Sequence, residues 1–138
     1  MAKEDMVSEI GMIFLDTDVL IDLIRGHEPA YKWLEANPDT SFALPGMTAM
    51  ELIVGAKNGV ELEKVGWYLN SMNVVEPTDQ DFRASLDLAR LHAMRSGLSI
   101  PDFFNAAQAL NRGATLYTFN QRHFADIAGL LTVQPYTR

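Results

Sequence analysis

Five short apolar runs, separated by segments with helical signals, most constrain how this chain can fold. The runs are Met12–Leu15, Ser41–Leu44, Asn73–Glu76, Thr115–Thr118 and Leu130–Val133. Short continuous apolar runs are typical of strands that are buried on both faces, as in parallel sheets. Because helical segments alternate with these strands, the connections favour parallel pairing. The sequence therefore predicts a three-layer α/β/α sandwich around a mainly parallel sheet.

The segments between the runs carry local helix signals. The predicted helices are Val19–Arg25, Tyr31–Ala36, Thr48–Lys57, Glu61–Ser71, a long helix to Ser96, one from Pro101 to Gly113 and a short turn at Gln121–Phe124. Thr17 or Asp18 is expected to cap the first helix, and Asp79 or Asp81 the long one. The long helix also carries an apolar stripe of the kind that packs against a core, formed by Phe82, Leu86, Ala89 and Ala93.

Length and composition indicate one soluble domain. The 138 residues suit a single domain, which we place at residues 12–138. Residues 1–11 lack the apolar core of a signal peptide, and we expect a short flexible extension, with Met12 as an alternative start. No apolar run approaches a membrane span. The chain has no cysteine, which excludes disulfide scaffolds, zinc ribbons and thiol catalysis and fits the cytoplasm.

The charge balance is acidic. Eleven basic and 18 acidic residues give a net charge of −7, which argues against a simple polyanion-binding tail. The three histidines, His27, His92 and His123, form no closely spaced metal-binding pair. Any bound metal would therefore be held mainly by oxygen.

Four oxygen-bearing side chains are expected at the carboxyl edge of the sheet, where ligands bind in open α/β folds. Asp16 ends the first strand, and Asn120 comes two residues after the fourth. Glu51 lies early in the helix after the second strand, and Asp102 in the first turn of a later helix. Clustered carboxylates repel one another, and a hard cation such as Mg²⁺ or Mn²⁺ relieves that repulsion.

Each of these residues also has a purely structural interpretation. Asp16 is placed to cap a helix, Asp102 to compensate a helix dipole, and Asn120 to form a turn. Glu51 alone would be an ordinary acid on a helix surface. Two further acids, Asp22 and Asp126, are expected to be solvated.

Read together, four segments resemble the motifs of PIN-domain ribonucleases. They are MIFLDTDVLID at 12–22, TAMELIVGA at 48–56, GLSIPDFFNAAQAL at 97–110 and TFNQRHF at 118–124. The order and spacing agree over residues 12–136, which is almost the whole chain. Within that family, the sequence most resembles the VapC toxins of VapBC toxin–antitoxin pairs.

This resemblance implies a PIN-like fold and an Mg²⁺- or Mn²⁺-dependent endoribonuclease. The implied catalytic residues are Asp16, Glu51, Asp102 and Asn120, of which the three acids would hold the metal. Many PIN domains have Asp at the fourth position; the neutral Asn120 leads us to expect one ion. The resemblance also implies that three further residues support the metal ligands without binding the metal themselves: Thr17, Asp18 and Thr118. The implied reaction is in-line attack of metal-activated water on an RNA phosphodiester, leaving a 5′-phosphate and a 3′-hydroxyl.

The resemblance also implies partners. They are an RNA substrate, a cognate VapB-type antitoxin and a second copy of the chain, with DNA contacted only through the antitoxin and no membrane. Apolar candidates for the protein contacts are Ile21, Ile24, Trp33, Leu34, Leu52, Trp67 and Tyr68. Basic candidates for an RNA-binding rim are Arg83, Arg90, Arg95, Arg112 and Arg122, although a pair such as Arg83 with Asp87 would only be a solvated helix face.

Two other functions fit parts of the sequence. The chain could be a PIN-like RNA- or protein-binding module with weak catalysis, because Asn120 replaces an acid. The segment Asp16–Val19 also fits the opening motif of haloacid-dehalogenase-type phosphatases. That family needs a downstream lysine and a late acidic pair; here Lys64 is the last lysine, and Asp126 is the only acid after Asp102.

Overall fold

The structure is a computed structural model and describes residues 11–138. The predicted N-terminal extension therefore lies outside the described residues, apart from Gly11. In chain order the elements are β1 (Ile13–Leu15), α1 (Thr17–Ile24), α2 (Glu28–Glu35), β2 (Phe42–Pro45), α3 (Gly46–Gly55), α4 (Gly59–Ser71), β3 (Asn73–Val75), α5 (Asp79–Ser96), α6 (Ile100–Arg112), β4 (Thr115–Tyr117), α7 (Gln121–Phe124) and β5 (Leu131–Val133).

The strands form one five-stranded sheet with the order β3-β2-β1-β4-β5, and every pairing is parallel. The central strand β1 pairs with β2 through Phe14 and Ala43 and with β4 through Phe14 and Leu116. The predicted α/β architecture is confirmed. All five carboxyl ends meet at one edge of the sheet, as parallel pairing requires.

Successive residues of β1 point to opposite faces of the sheet and so build two separate cores. Leu15 packs with α1–α4, in a cluster that includes Leu20, Leu44 and Val65. Phe14 packs on the other face with a cluster that includes Phe103 and Leu116. The sheet and the helices that pack on each of its faces form the three predicted layers. No helix among residues 11–138 is long and apolar enough to span a membrane.

Several predicted boundaries and caps differ from the structure. Helix α2 begins three residues earlier than predicted, at Glu28, because Pro29 fits the first helical turn. Asp16, rather than Thr17 or Asp18, caps α1 by accepting a hydrogen bond from the Thr17 N–H. Thr78 caps α5 and forms a capping box with Asp81. Gly97 and Gly113, both in the left-handed conformation, follow the last residues of α5 and α6.

Most of the apolar stripe on α5 does not face the core, although Ala89 packs against it. Phe82 is 50% exposed and Leu86 is 40% exposed, whereas the polar residues Asp81 and Ser85 are buried. The buried face is polar because Arg112 on α6 reaches Asp81 with two hydrogen bonds of 3.0 and 2.9 Å. A buried ion pair therefore joins α5 to α6, and Phe82 and Leu86 remain on the outer surface.

Candidate active site

An open pocket of about 440 Å³ lies beyond the carboxyl ends of β1 and β4. Its lining residues are Asp16, Thr17, Asp18, Ile21, Glu51, Asp102, Phe119, Asn120 and Arg138. The structure thus brings together all four predicted catalytic residues, which come from four separate parts of the chain. Two of the three predicted supporting residues, Thr17 and Asp18, also line this pocket, which we call the acidic pocket.

Asp16 is the most deeply buried acid of the pocket, at 6% exposure. Its carboxylate accepts hydrogen bonds from the Thr17 N–H at 2.9 Å, the Thr118 hydroxyl at 2.7 Å and Asn105 Nδ2 at 3.4 Å. Burial raises the pKa of Asp16 despite these hydrogen bonds, and the charge of Asp102 raises it further. A nearby cation would therefore stabilise the ionised form of Asp16.

Glu51 and Asp102 are each held through one carboxylate oxygen. The Thr17 hydroxyl donates to Glu51 Oε1 at 2.8 Å, and the Ser99 N–H and hydroxyl donate to Asp102 Oδ2 at 2.8 and 2.9 Å. Within residues 11–138, Glu51 Oε2 and Asp102 Oδ1 have no such donor. Burial raises the pKa of Glu51, and the charges of Asp16 and Asp102 act in the same direction.

Asp18 accepts a hydrogen bond from the Phe119 N–H at 3.0 Å through Oδ2. Its other oxygen, Oδ1, is buried and has no partner among the described residues. Burial, followed by the charge of Asp16, raises the pKa of Asp18 to about 6. An ionised carboxylate with an unpartnered buried oxygen adds to the negative potential of the acidic pocket.

Thr118 and Asn120 connect the end of β4 to this pocket. Thr118 is fully buried, and its hydroxyl donates a hydrogen bond to Asp16. The same hydroxyl oxygen accepts a hydrogen bond from the Asn120 N–H at 2.9 Å. The Asn120 side chain makes no capping bond to α7, although Asn120 is the residue before that helix. Asn120 therefore contributes a neutral amide to the pocket lining rather than a helix cap.

Three residues near the pocket were not predicted as site residues. Asn105 is fully buried and bridges Asp16 to Thr48 Oγ1 at 3.2 Å. The signal for Asn105 was an amide within the apolar face of α6. Phe119 and Arg138 also line the pocket, but no sequence pattern distinguished them from ordinary loop residues.

The structure also gives the surroundings of the other acidic and apolar residues that the sequence analysis considered. Asp22, expected to be solvated, is instead held by Arg138 and by the Tyr136 hydroxyl at 2.7 Å. Asp126 is exposed as expected. Asp87 pairs with Arg90 at 3.0 Å, not with Arg83 as suggested. Of the apolar contact candidates, those that are buried in the core are Ile24, Leu52 and Tyr68, whereas Trp67 is 63% exposed.

The donors of the acidic pocket fit a hard divalent cation. Among residues 11–138, no three His, Cys, Asp or Glu side chains form a closed cluster that would hold a metal by itself. Instead, carboxylates border an open pocket and keep oxygens free of hydrogen bonds, with a buried orphan at Asp18 Oδ1. This arrangement suits Mg²⁺, which keeps several waters and is bound by one or two carboxylates rather than by a protein cage.

Comparison with known proteins identifies relatives over almost the whole chain. The family model described as "PIN domain" matches residues 13–130. The chain is 32% identical to "Ribonuclease VapC10" of Mycobacterium tuberculosis over 115 residues, which are 82% of this chain and 86% of that protein.

Several solved structures are also similar to this chain over most of its length. A toxin–antitoxin complex from Klebsiella pneumoniae matches with a TM-score of 0.74 and 31% identity, over 91% of this chain and 99% of that one. A DNA-bound VapBC from Salmonella typhimurium matches in fold, with a TM-score of 0.73 and 23% identity over 88% and 96% of the two chains. With its parallel sheet and its acidic pocket at the carboxyl edge, this chain belongs to the PIN domain family.

Proposed function

We propose that this protein is the toxin of a type II toxin–antitoxin system and an endoribonuclease that hydrolyses RNA phosphodiester bonds. The observation that carries the proposal is the convergence of Asp16, Glu51 and Asp102 on one pocket, where burial and mutual repulsion raise the pKa values of the first two. The 32% identity to a protein named as a ribonuclease supports RNA as the substrate.

The proposed cofactor is one Mg²⁺ or Mn²⁺ ion, held by Asp16, Glu51 and Asp102. When bound, it supplies positive charge to a phosphate and lowers the pKa of water. Asn120 would contribute a neutral oxygen, and for that reason we assign a single ion to the pocket.

The residues of the chain have separate roles in the proposed reaction. Thr118 and Asn105 fix Asp16, and Thr17 orients Glu51. Glu51 Oε2 has no hydrogen-bond donor among the described residues and is available to receive a proton from the attacking water. The water oxygen forms a bond to phosphorus while the bond to the 3′ oxygen breaks. That oxygen leaves with a proton, giving a 3′-hydroxyl and a 5′-phosphate.

The proposed protein partner is a VapB-type antitoxin. Four of the structural relatives are described as toxin–antitoxin or VapBC complexes, and two of these are described as bound to DNA. We therefore propose that this chain reaches DNA only through its antitoxin, with the acidic pocket as the surface that the antitoxin closes.

A second copy of the chain is the proposed occupant of the exposed α5 stripe. Phe104 of α6 stacks on Phe82 with ring centroids 6.0 Å apart, which widens the apolar surface beside Leu86. Two copies of α5 packed antiparallel would bury this exposed apolar surface against itself.

The decisive experiment is cleavage of labelled total RNA and transfer RNA by the purified protein with Mg²⁺, Mn²⁺ or EDTA. Asp102→Asn is the test variant, and Asp126→Asn is the matched control because that acid is exposed and lies outside the pocket. We expect metal-dependent cleavage by the parent and the control, and none by Asp102→Asn. Equal cleavage by both variants would contradict the site assignment.

The same experiment tests the two alternatives. RNA binding without cleavage under any metal condition would favour the binding module. Turnover of a small phosphomonoester through an aspartyl-phosphate at Asp16 would favour the phosphatase. Within residues 11–138 no lysine lines the acidic pocket, which weighs against the phosphatase.

A further inference from the structure

The acidic pocket poses an electrostatic problem for a polyanionic substrate. Its described lining includes four carboxylates, Asp16, Asp18, Glu51 and Asp102, but only one basic residue, Arg138. A phosphodiester strand that enters the pocket meets repulsion from these acids, and one bound cation offsets only part of it. A positive group close to the strand would offset more of this repulsion, and Arg138 is the basic side chain in the described lining.

Arg138 is held in a fixed orientation. Its Nε and Nη2 donate to the two oxygens of Asp22 at 3.0 and 3.1 Å, and the Tyr136 hydroxyl donates to the same carboxylate at 2.7 Å. The guanidinium also lies over the Phe119 ring, 4.2 Å from its centroid, and Phe119 packs edge-on against Tyr136. A group with so many contacts loses little additional freedom when a ligand binds.

The contacts of Arg138 use only part of its guanidinium. Asp22 occupies the edge formed by Nε and Nη2, and the Asp18 carbonyl oxygen lies 3.5 Å from Nη2. Among the described residues, Nη1 has no hydrogen-bond acceptor. The side chain is 47% exposed at the pocket. The end of the guanidinium opposite its stem is therefore open to an incoming anion.

We propose that Arg138, clamped by Asp22 and Phe119, is a binding site for a phosphate of the RNA strand next to the bond that is cleaved. The two N–H groups of Nη1 can donate charge-assisted hydrogen bonds to the oxygens of a phosphate. The proposal rests on the ribonuclease function above and adds to it a residue that positions the strand through its backbone. This contact reads no base sequence.

The test measures binding of fluorescein-labelled transfer RNA in Mg²⁺ by fluorescence anisotropy, in the Asp102→Asn background that does not cleave. Arg138→Gln removes the phosphate contact. The matched control is Arg25→Gln, because Arg25 is also exposed, also pairs with a carboxylate and does not line the pocket. Arg138→Lys keeps the charge but removes the guanidinium. Thermal unfolding of each variant detects any loss of folded protein.

For Arg138→Gln we expect the Kd to rise about tenfold relative to Arg25→Gln, as for the loss of one charge-assisted hydrogen bond. The slope of log Kd against log salt should also fall by about 0.7, which corresponds to one single-strand phosphate contact. Arg138→Lys should retain the slope but bind less tightly than the parent. In the cleaving protein, Arg138→Gln should raise KM more than it lowers kcat.

Three results would overturn the proposal. Equal Kd values for the Gln variants of Arg138 and Arg25 would show that Arg138 does not contact the strand. Tighter binding by Arg138→Gln would show that the arginine obstructs the pocket. A higher Kd with an unchanged salt slope would point to base stacking on Phe119 instead. If the parent neither binds nor cleaves RNA, the ribonuclease function fails as well, and this result is distinct from the other three.

Discussion

The Thr118 hydroxyl donates a 2.7 Å hydrogen bond to Asp16 Oδ2 and so ties the end of β4 to the end of β1. Both residues are buried, and their strands are direct neighbours in the sheet. The hydrogen bond lowers the pKa of Asp16 against the opposing effect of burial. The relationship is therefore electrostatic as well as structural, because it favours the ionised carboxylate that a cation would bind.

Replacing Thr118 by valine tests this role. Thr118→Val keeps the shape of the side chain but removes the donor, so the pKa of Asp16 should rise further. We expect Mn²⁺ affinity and RNA cleavage to fall about tenfold or more, as for other groups that orient a metal ligand. Isothermal titration calorimetry and cleavage assays measure the two effects. Thr132→Val on β5 is the control, since the Thr132 hydroxyl contacts only Gln121 among the described residues; equal losses in both variants would contradict the role.

Asn120→Asp tests how the neutral side chain at this position of the pocket affects metal binding. The substitution adds a carboxylate to a lining that already includes Asp16, Glu51 and Asp102. Because cation affinity rises with the number of charged ligands, we expect Mn²⁺ to bind several-fold more tightly, or a second ion to bind. Without metal, the added repulsion should lower the melting temperature. Asn58→Asp makes the same charge change at an exposed helix cap; if it affects Mn²⁺ binding equally, Asn120 has no special place in the site.

The arrangement of strands and acids could be predicted because both depend on short-range patterns. An apolar run such as Met12–Leu15 is typical of a strand that is buried in a sheet. A parallel sheet then places the residues that follow each strand at one edge. Asp16 and Asn120 could thus be assigned to one rim from their positions alone. Glu51 and Asp102 line the same pocket in the structure.

The features that could not be predicted depend on contacts between residues far apart in the chain. Asp81 is buried because Arg112, 31 residues away, pairs with it, and Phe82 and Leu86 are left exposed. Asp22 is only partly exposed because Arg138, 116 residues away, holds it. Periodicity within a helix reports only the helix's own side chains, so it assigned the apolar stripe of α5 to the core.

Leu86→Glu tests the second copy proposed for that stripe. A charge in the middle of the apolar surface should disrupt antiparallel packing of α5 and yield monomers. We expect the parent to sediment at twice the mass of the chain and the variant at the mass of one chain. Leu91→Glu is the control, because Leu91 is 74% exposed but lies on the opposite side of α5. A monomeric parent, or equal disruption by both variants, would contradict the proposed dimer surface.

Asp81→Asn tests the buried ion pair between α5 and α6. Asp81 is 1% exposed, and its carboxylate accepts hydrogen bonds from Arg112, Asn111 and the Thr78 N–H. Breaking a buried pair leaves the partner charge uncompensated, so the variant should lose about 3 kcal/mol of unfolding free energy at neutral pH. Urea unfolding measures this loss. Asp79→Asn, at an exposed position in the same first turn, should cost less than about 1 kcal/mol.

The loss should also depend on pH, with a sign set by the pKa of Asp81. Burial alone would raise that pKa, but the hydrogen bonds from Arg112, Thr78 and Asn111 outweigh it and hold the pKa below its usual value of 3.8. The ionised carboxylate therefore stabilises the folded state fully above the unfolded pKa, and this stabilisation is lost as the pH falls through the folded pKa. The parent and Asp81→Asn should differ by a constant amount above about pH 5 and converge below about pH 4. A difference that grows on acidification would contradict the ion pair as the source of stability.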